Sequence, residues 1–128
     1  MKLRRAIGTL VTCMLLGKGA MLPGAALAHA SLVGCNFAPG AALRLLPHTV
    51  RCTFAEGVNP RGSFIGLFQA TGDHGEMDKG NSNISFTNAK QIELPAPSMP
   101  KGSYNLIWFT ISADDGHRAG GVVPFSIR

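Results

Sequence analysis

Ser103-Tyr104-Asn105-Leu106-Ile107-Trp108-Phe109-Thr110-Ile111-Ser112 is the stretch on which the fold turns. In extended backbone successive side chains leave on opposite faces, so Tyr104, Leu106, Trp108 and Thr110 share one face and Asn105, Ile107, Phe109 and Ile111 the other. A strand apolar on most of both faces belongs in the middle of a sheet rather than at its edge. Thr49-Val50-Arg51-Cys52-Thr53-Phe54 carries the complementary pattern, with Val50, Cys52 and Phe54 alternating against Thr49, Arg51 and Thr53, as a half-buried strand requires.

Outward from these two, short β-prone runs are bounded by turn residues. The candidate strands are Ala30 to Asn36, Thr49 to Phe54, Ser63 to Gln69, Asn83 to Thr87, Gln91 to Leu94, Ser103 to Ser112 and Val122 to Ile127. Pro39-Gly40, Asn59-Pro60-Arg61-Gly62, Gly72-Asp73-His74-Gly75 and Pro100-Lys101-Gly102 punctuate them. About seven strands with turns at this spacing predict an all-β sandwich or Greek-key barrel. With no internal repeat, linker or low-complexity segment, 128 residues make one domain. The 16 Gly and 8 Pro, with only 15% charged residues, exclude coiled coils and long solvated helices.

A formal charge of +5 suggests nucleic-acid binding until its location is read. Four of the 12 basic groups, Lys2, Arg4, Arg5 and Lys18, lie in the first 28 residues, which contain no acid. The remaining 8 basic groups face 7 acidic ones, so the folded part has no stripe able to neutralise a phosphate backbone and no nucleic-acid partner is expected. The basicity belongs to a secretory signal over residues 1–28: Met1 to Arg5 form a positive start, Ala6 to Leu16 an apolar stretch, and Ala26-Leu27-Ala28 an A-x-A cleavage site. The mature domain then spans 29–128 and starts at His29, is periplasmic, and keeps no stable membrane insertion after cleavage. A second site at Ala28-His29-Ala30 would release a chain starting at Ser31. Cys13 lies inside the apolar stretch rather than at its end, which argues against a lipid anchor. The two cysteines of the mature chain, Cys35 and Cys52, are an even pair in an exported domain; this favours a disulfide over separate buried thiols or thiolate ligation of a metal.

None of the G-x-S-x-G, H-E-x-x-H, P-loop or CxxC patterns occurs, so covalent hydrolysis has no support. Two other features remain: a mature N-terminus that is itself a histidine, and Asp115-Gly116-His117 directly after the central strand. Separately, the first is an inert end and the second an ordinary turn. Together they make a donor set, because an N-terminal histidine offers its α-amine and its imidazole in one chelate ring. A second imidazole and a carboxylate complete three nitrogens and one oxygen, a set that suits Cu(II) best among the divalent metals. At i and i+2, Asp115 and His117 would leave an extended backbone on the same face.

His29-Ala30-Ser31-Leu32, Pro39-Gly40-Ala41, Pro47 with Val50-Arg51-Cys52-Thr53-Phe54-Ala55-Glu56, Leu94-Pro95, Lys101-Gly102-Ser103-Tyr104, Trp108, Ile111-Ser112-Ala113, Asp115-Gly116-His117, Gly121 and Phe125 together resemble the CopC-type periplasmic copper-binding proteins. The resemblance runs through nearly the whole mature region. It implies an immunoglobulin-like Greek-key barrel that binds Cu(II) through a histidine brace and sequesters or carries copper in copper homeostasis or resistance. It further implies His29, Asp115 and His117 as ligands and an inner-membrane copper permease as a candidate recipient. Glu56 matches an acidic position that approaches the metal in some members. The chain departs from the family pattern in three ways. Ser112-Ala113-Asp114-Asp115-Gly116-His117 is one residue longer than expected, which makes Asp114 an alternative to Asp115. Cys35 and Cys52 stand where other residues are expected, which fits an added disulfide between the first two predicted strands. A Met-rich Cu(I) segment is missing, Met77 and Met99 being the only methionines of the mature chain.

The expected activity is binding, not turnover. His74, Glu76, Met77 and Asp78 read as a solvated turn before a second metal site, and His48 as an exposed loop residue. Two competing readings stand beside the copper carrier. A copper-dependent oxidase would need open coordination and a substrate platform, for which one Trp and one Tyr, both in the central strand, offer little. A non-metal immunoglobulin-like interaction module would be indifferent to loss of His29 or His117.

Overall fold

The computed structural model describes residues 30–70 and 84–128. Among these residues there are eight strands: β1 (Leu32–Cys35), β2 (Ala41–Leu43), β3 (Thr49–Phe54), β4 (Phe64–Gln69), β5 (Ser85–Asn88), β6 (Gln91–Pro95), β7 (Gly102–Ile111) and β8 (Arg118–Ile127). They form two four-stranded sheets, β1-β3-β6-β5 and β2-β8-β7-β4. All pairings are antiparallel except β2 with β8, which is parallel. No helix among the described residues is long and apolar enough to cross a membrane.

β7 lies between β8 and β4, as its two apolar faces require. Its Tyr104, Leu106, Trp108 and Thr110 are buried while Asn105, Ile107, Phe109 and Ile111 are half-buried, so the first row faces the core and the second the outside of the sheet. In β3, Val50, Cys52 and Phe54 are buried and Arg51 is exposed. The sheets meet where Phe54 and Trp108 approach with ring centroids 5.7 Å apart. Tyr104, buried against Phe125, donates its hydroxyl to the Pro100 carbonyl at 2.6 Å, which satisfies a phenol that burial would otherwise penalise.

Most expected strands match to within one or two residues at either end; two elements differ more. β2 was not expected: three residues, two of them alanine, carry no readable alternation, and the strand forms by pairing Ala41, Ala42 and Leu43 with Phe125, Ser126 and Ile127 at the far end of the chain. β8 begins at Arg118 rather than Val122, because Gly120-Gly121 reads as a turn yet lies in the strand. The glycines answer a close approach. Gly121 is the register partner of Trp108, and a Cβ there would meet the indole Nε1 at 2.9 Å.

Cys35 and Cys52 are register partners on β1 and β3 and form a disulfide, 17 residues apart in sequence. The bond joins neighbouring strands of one sheet, with β2 intervening in the chain.

Candidate metal centre

β7 and β8 pair along their whole length, from Gly102 with Ile127 to Ile111 with Arg118, and the connection between them carries Asp115 and His117. Ser112 N–H donates to the His117 carbonyl at 2.8 Å and Gly116 N–H to the Ser112 carbonyl at 3.0 Å, so the loop closes on itself. It is also tied to the segment after β3: Ala113 N–H donates to Gly57 O at 2.9 Å and Asn59 N–H to Ile111 O at 2.7 Å.

The geometry that unites Asp115 and His117 is a turn, which corrects the expectation of an extended pair. Gly116 has φ of +74°, a left-handed conformation that glycine adopts without steric cost. Asp115 Oδ1 accepts the His117 backbone N–H at 3.0 Å, the hydrogen bond of an Asx turn. Its Oδ2 stands 2.7 Å from His117 Nδ1. Both side chains are substantially exposed.

These contacts stabilise the ionised carboxylate. The His117 backbone N–H first, and the His117 ring second, hold Asp115 at a pKa of about 2, below its ordinary 3.8. When Nδ1 carries the ring proton and donates it to Asp115, the imidazole lone pair sits on Nε2. A carboxylate that fixes the tautomer and orientation of an imidazole in this way is a recurrent arrangement behind metal-ligating histidines.

Glu56, just past β3, reaches the base of the same loop, where its Oε1 accepts from the buried Ser112 hydroxyl at 3.2 Å. Asp114 is placed differently from Asp115: its backbone N–H donates to Ser112 Oγ at 3.3 Å, and Asp115 is the carboxylate bonded to His117. His29 lies outside the described residues, but Ala30 and Ser31 are held by both sheets. The Ala30 carbonyl accepts from the Thr110 hydroxyl at 2.6 Å and the Ser31 carbonyl from the Ala55 N–H at 2.8 Å. Thr110 is two residues before Ser112 on the core-facing row of β7, roughly 7 Å along an extended chain. The start of the first strand therefore lies beside the end of the central strand.

Among the described residues no three His, Cys, Asp or Glu side chains converge as a metal cage. Asp115 and His117 supply two donors, and the α-amine and imidazole of the expected set belong to His29. His74, Glu76, Met77 and Asp78 also lie outside the described residues. His48 is exposed, and its carbonyl accepts the Ala96 N–H at 2.9 Å. It lines a cavity of about 280 Å³ with Arg44, Met99 and Ile127, at the end of the sandwich opposite the β7–β8 loop. A second concavity of about 590 Å³ runs along β1, from Leu32 to Pro39 and Val123.

The hydrogen-bonding roles of two hydroxyls at this end of the molecule, Thr110 and Ser112, are not evident from the motif, although Ser112 begins it. The available signal was their polarity on a row that is otherwise apolar, since a buried hydroxyl demands a partner.

A face-to-face pair of mostly antiparallel sheets with a carboxylate and an imidazole fixed to each other on one end loop defines a small β-sandwich that carries an exposed Asp–His turn. The chain belongs to the CopC domain family, which it matches over residues 32–128. It is 31% identical over 106 residues to the copper transport protein CutJ of Bacillus subtilis, a match that covers 83% of this chain and spans 19% of the length of that relative. Among solved structures, CopC from Methylosinus trichosporium OB3b superposes with a TM-score of 0.65 at 24% identity, covering 77% of this chain and 93% of that one. PcoC, a methionine-rich copper resistance protein from Escherichia coli, superposes with a TM-score of 0.63 at 21% identity, covering 79% and 100%. At such identities the two superpositions establish the sandwich fold.

Proposed function

We propose that this protein is a periplasmic Cu(II) carrier that holds copper in a brace formed by the His29 α-amine and imidazole, the His117 imidazole and the Asp115 carboxylate. The observation that carries the reading is the tether of Ala30 to Thr110, which brings the residue after His29 to the end of the sandwich that bears Asp115 and His117. The donor chemistry supports it: nitrogen-rich tetragonal sets favour Cu(II). Membership of the CopC family, and the copper transport and copper resistance roles named for its relatives, agree with copper as the cargo. Glu56, linked to Ser112 at the base of the loop, and Asp114 are the further candidate carboxylates. Residues 1–28 serve as the export signal, and cleavage after Ala28 creates the amine ligand.

Binding without turnover is favoured by the placement of the two residues that would build a substrate platform. Trp108 and Tyr104 both point into the core, Trp108 against Phe54 and Tyr104 against Phe125. An inner-membrane permease is the proposed recipient of the metal.

The experiment compares Cu(II) titrations of the chain starting at His29 with one that retains Ala28 ahead of it. Retention converts the α-amine into an amide and removes one nitrogen donor. The carrier reading expects one tightly held Cu(II) in the first and a much weaker, spectroscopically different site in the second. Equal titrations would overturn the brace, and no copper uptake by either chain would count for the non-metal interaction module.

A further inference from the structure

Thr110 is completely buried, and so is Ala30, 80 positions earlier in the chain. Its hydroxyl donates to the Ala30 carbonyl at 2.6 Å, within the range of a strong O–H···O bond. The next carbonyl, Ser31, turns the other way and accepts from Ala55 N–H at 2.8 Å. Two successive carbonyls of the N-terminal segment are thus fixed to opposite sheets, one by a side chain of β7 and one by backbone just after β3. On the β7 side the donor is a side chain, so this half of the clamp depends on the residue type at position 110.

We infer that Thr110 is a positioning residue for the proposed copper site: its buried hydroxyl fixes the peptide that follows His29 at the end of the sandwich that bears Asp115 and His117, before metal arrives. The inference rests on the brace proposed above. The physical argument is preorganisation. Without the bond the segment before β1 would have to be ordered at the moment of binding, and the conformational entropy lost would be subtracted from affinity. A buried carbonyl stripped of its donor would also favour conformations in which it reaches water, drawing residue 30 away from the strand.

The test uses the exported chain with Thr110→Val, Thr110→Ser and, as a control on the brace, His117→Ala. Valine keeps the shape of threonine and removes the hydroxyl; serine keeps the hydroxyl and removes the methyl. Cu(II) affinity by competition titration should fall about tenfold in Thr110→Val, in line with loss of a buried, satisfied hydrogen bond, with an altered electron paramagnetic resonance signal. Thr110→Ser should restore both. Hydrogen exchange in the copper-free protein should show the Ala55 N–H, partner of Ser31, opening faster in Thr110→Val while core amides of β7 such as Leu106 keep their protection. Should Thr110→Val not fold, Thr110→Ala removes the same hydroxyl and is held to the same comparison. Wild-type affinity and spectrum in the hydroxyl-less variant, in a protein where His117→Ala abolishes binding, would overturn the inference and leave the brace standing. A loss that Thr110→Ser does not restore would assign the effect to the methyl and overturn it too. Unchanged binding in His117→Ala would remove the brace, and the role of Thr110 with it.

Discussion

A carboxylate two residues from an imidazole is common in turns, but Asp115 uses both of its oxygens on the same histidine, one on the backbone N–H and one on the ring. Holding His117 from two sides removes rotamer freedom that a metal would otherwise have to remove. Asp115→Asn keeps an oxygen for the backbone N–H but loses both the anionic ligand of the proposed brace and the charge that orients His117, so Cu(II) affinity is expected to drop by at least about 10- to 100-fold, the usual cost of losing only the partner of a ligating histidine; competition titration reads it. His117→Ala should cost more. The pH dependence follows from the sign of the Asp115 shift. Because its folded-state pKa is lowered to about 2, its ionised form is in place above the ordinary carboxyl range and is lost only as pH falls towards that value. Nitrogen ligands bind as neutral groups, so protons compete with copper for both imidazoles and the α-amine, and Cu(II) affinity should fall steadily as pH is lowered. An ordinary carboxyl titration of Asp115 near 3.8 in the copper-free protein would contradict this account.

The elements show what the sequence makes legible and what it withholds. β3 coincides with its expected span and β7 with its expected span to within a residue, because both carry unbroken period-2 patterns whose rows meet different environments. β2 has no such pattern and exists through parallel pairing with residues more than 80 positions away, a contact that local periodicity does not encode. In β8 the glycine pair conceals the strand, since what selects glycine there is the indole of a different strand. Gly121→Ala is therefore expected to destabilise the protein by about 1–3 kcal/mol through overpacking against Trp108, seen as a lower urea midpoint with an unchanged slope. At the candidate site, Asp115 and His117 could be singled out as residue types at a spacing, whereas the geometry that joins them could not. A turn with left-handed Gly116 unites Asp115 and His117, and the Thr110 contact to Ala30 links positions 80 residues apart.

At the scale of the whole molecule, the disulfide and the proposed metal site both depend on the N-terminal segment. The Cys35–Cys52 bond closes a loop of 17 residues and staples β1 to β3, a few residues downstream of the clamp on Ala30 and Ser31. Replacing both cysteines with alanine should lower unfolding free energy by about 3 kcal/mol on the chain-entropy account, measured by chemical denaturation of the copper-free protein. Copper bound only by the folded state stabilises it by mass action, about 4 kcal/mol when free metal exceeds the dissociation constant a thousandfold. Thermal unfolding with and without Cu(II) should show that gain, and it should vanish in a chain that begins at Ser31. The brace depends on where the mature chain starts, because one cleavage site creates the amine and imidazole chelate and the other discards it. The most direct measurement is intact mass and N-terminal sequencing of the exported protein, followed by Cu(II) titration of the same sample under electron paramagnetic resonance. The account predicts a chain starting at His29 that takes up one Cu(II) with nitrogen-rich tetragonal parameters; a chain starting at Ser31, or one starting at His29 that ignores stoichiometric copper, would contradict it.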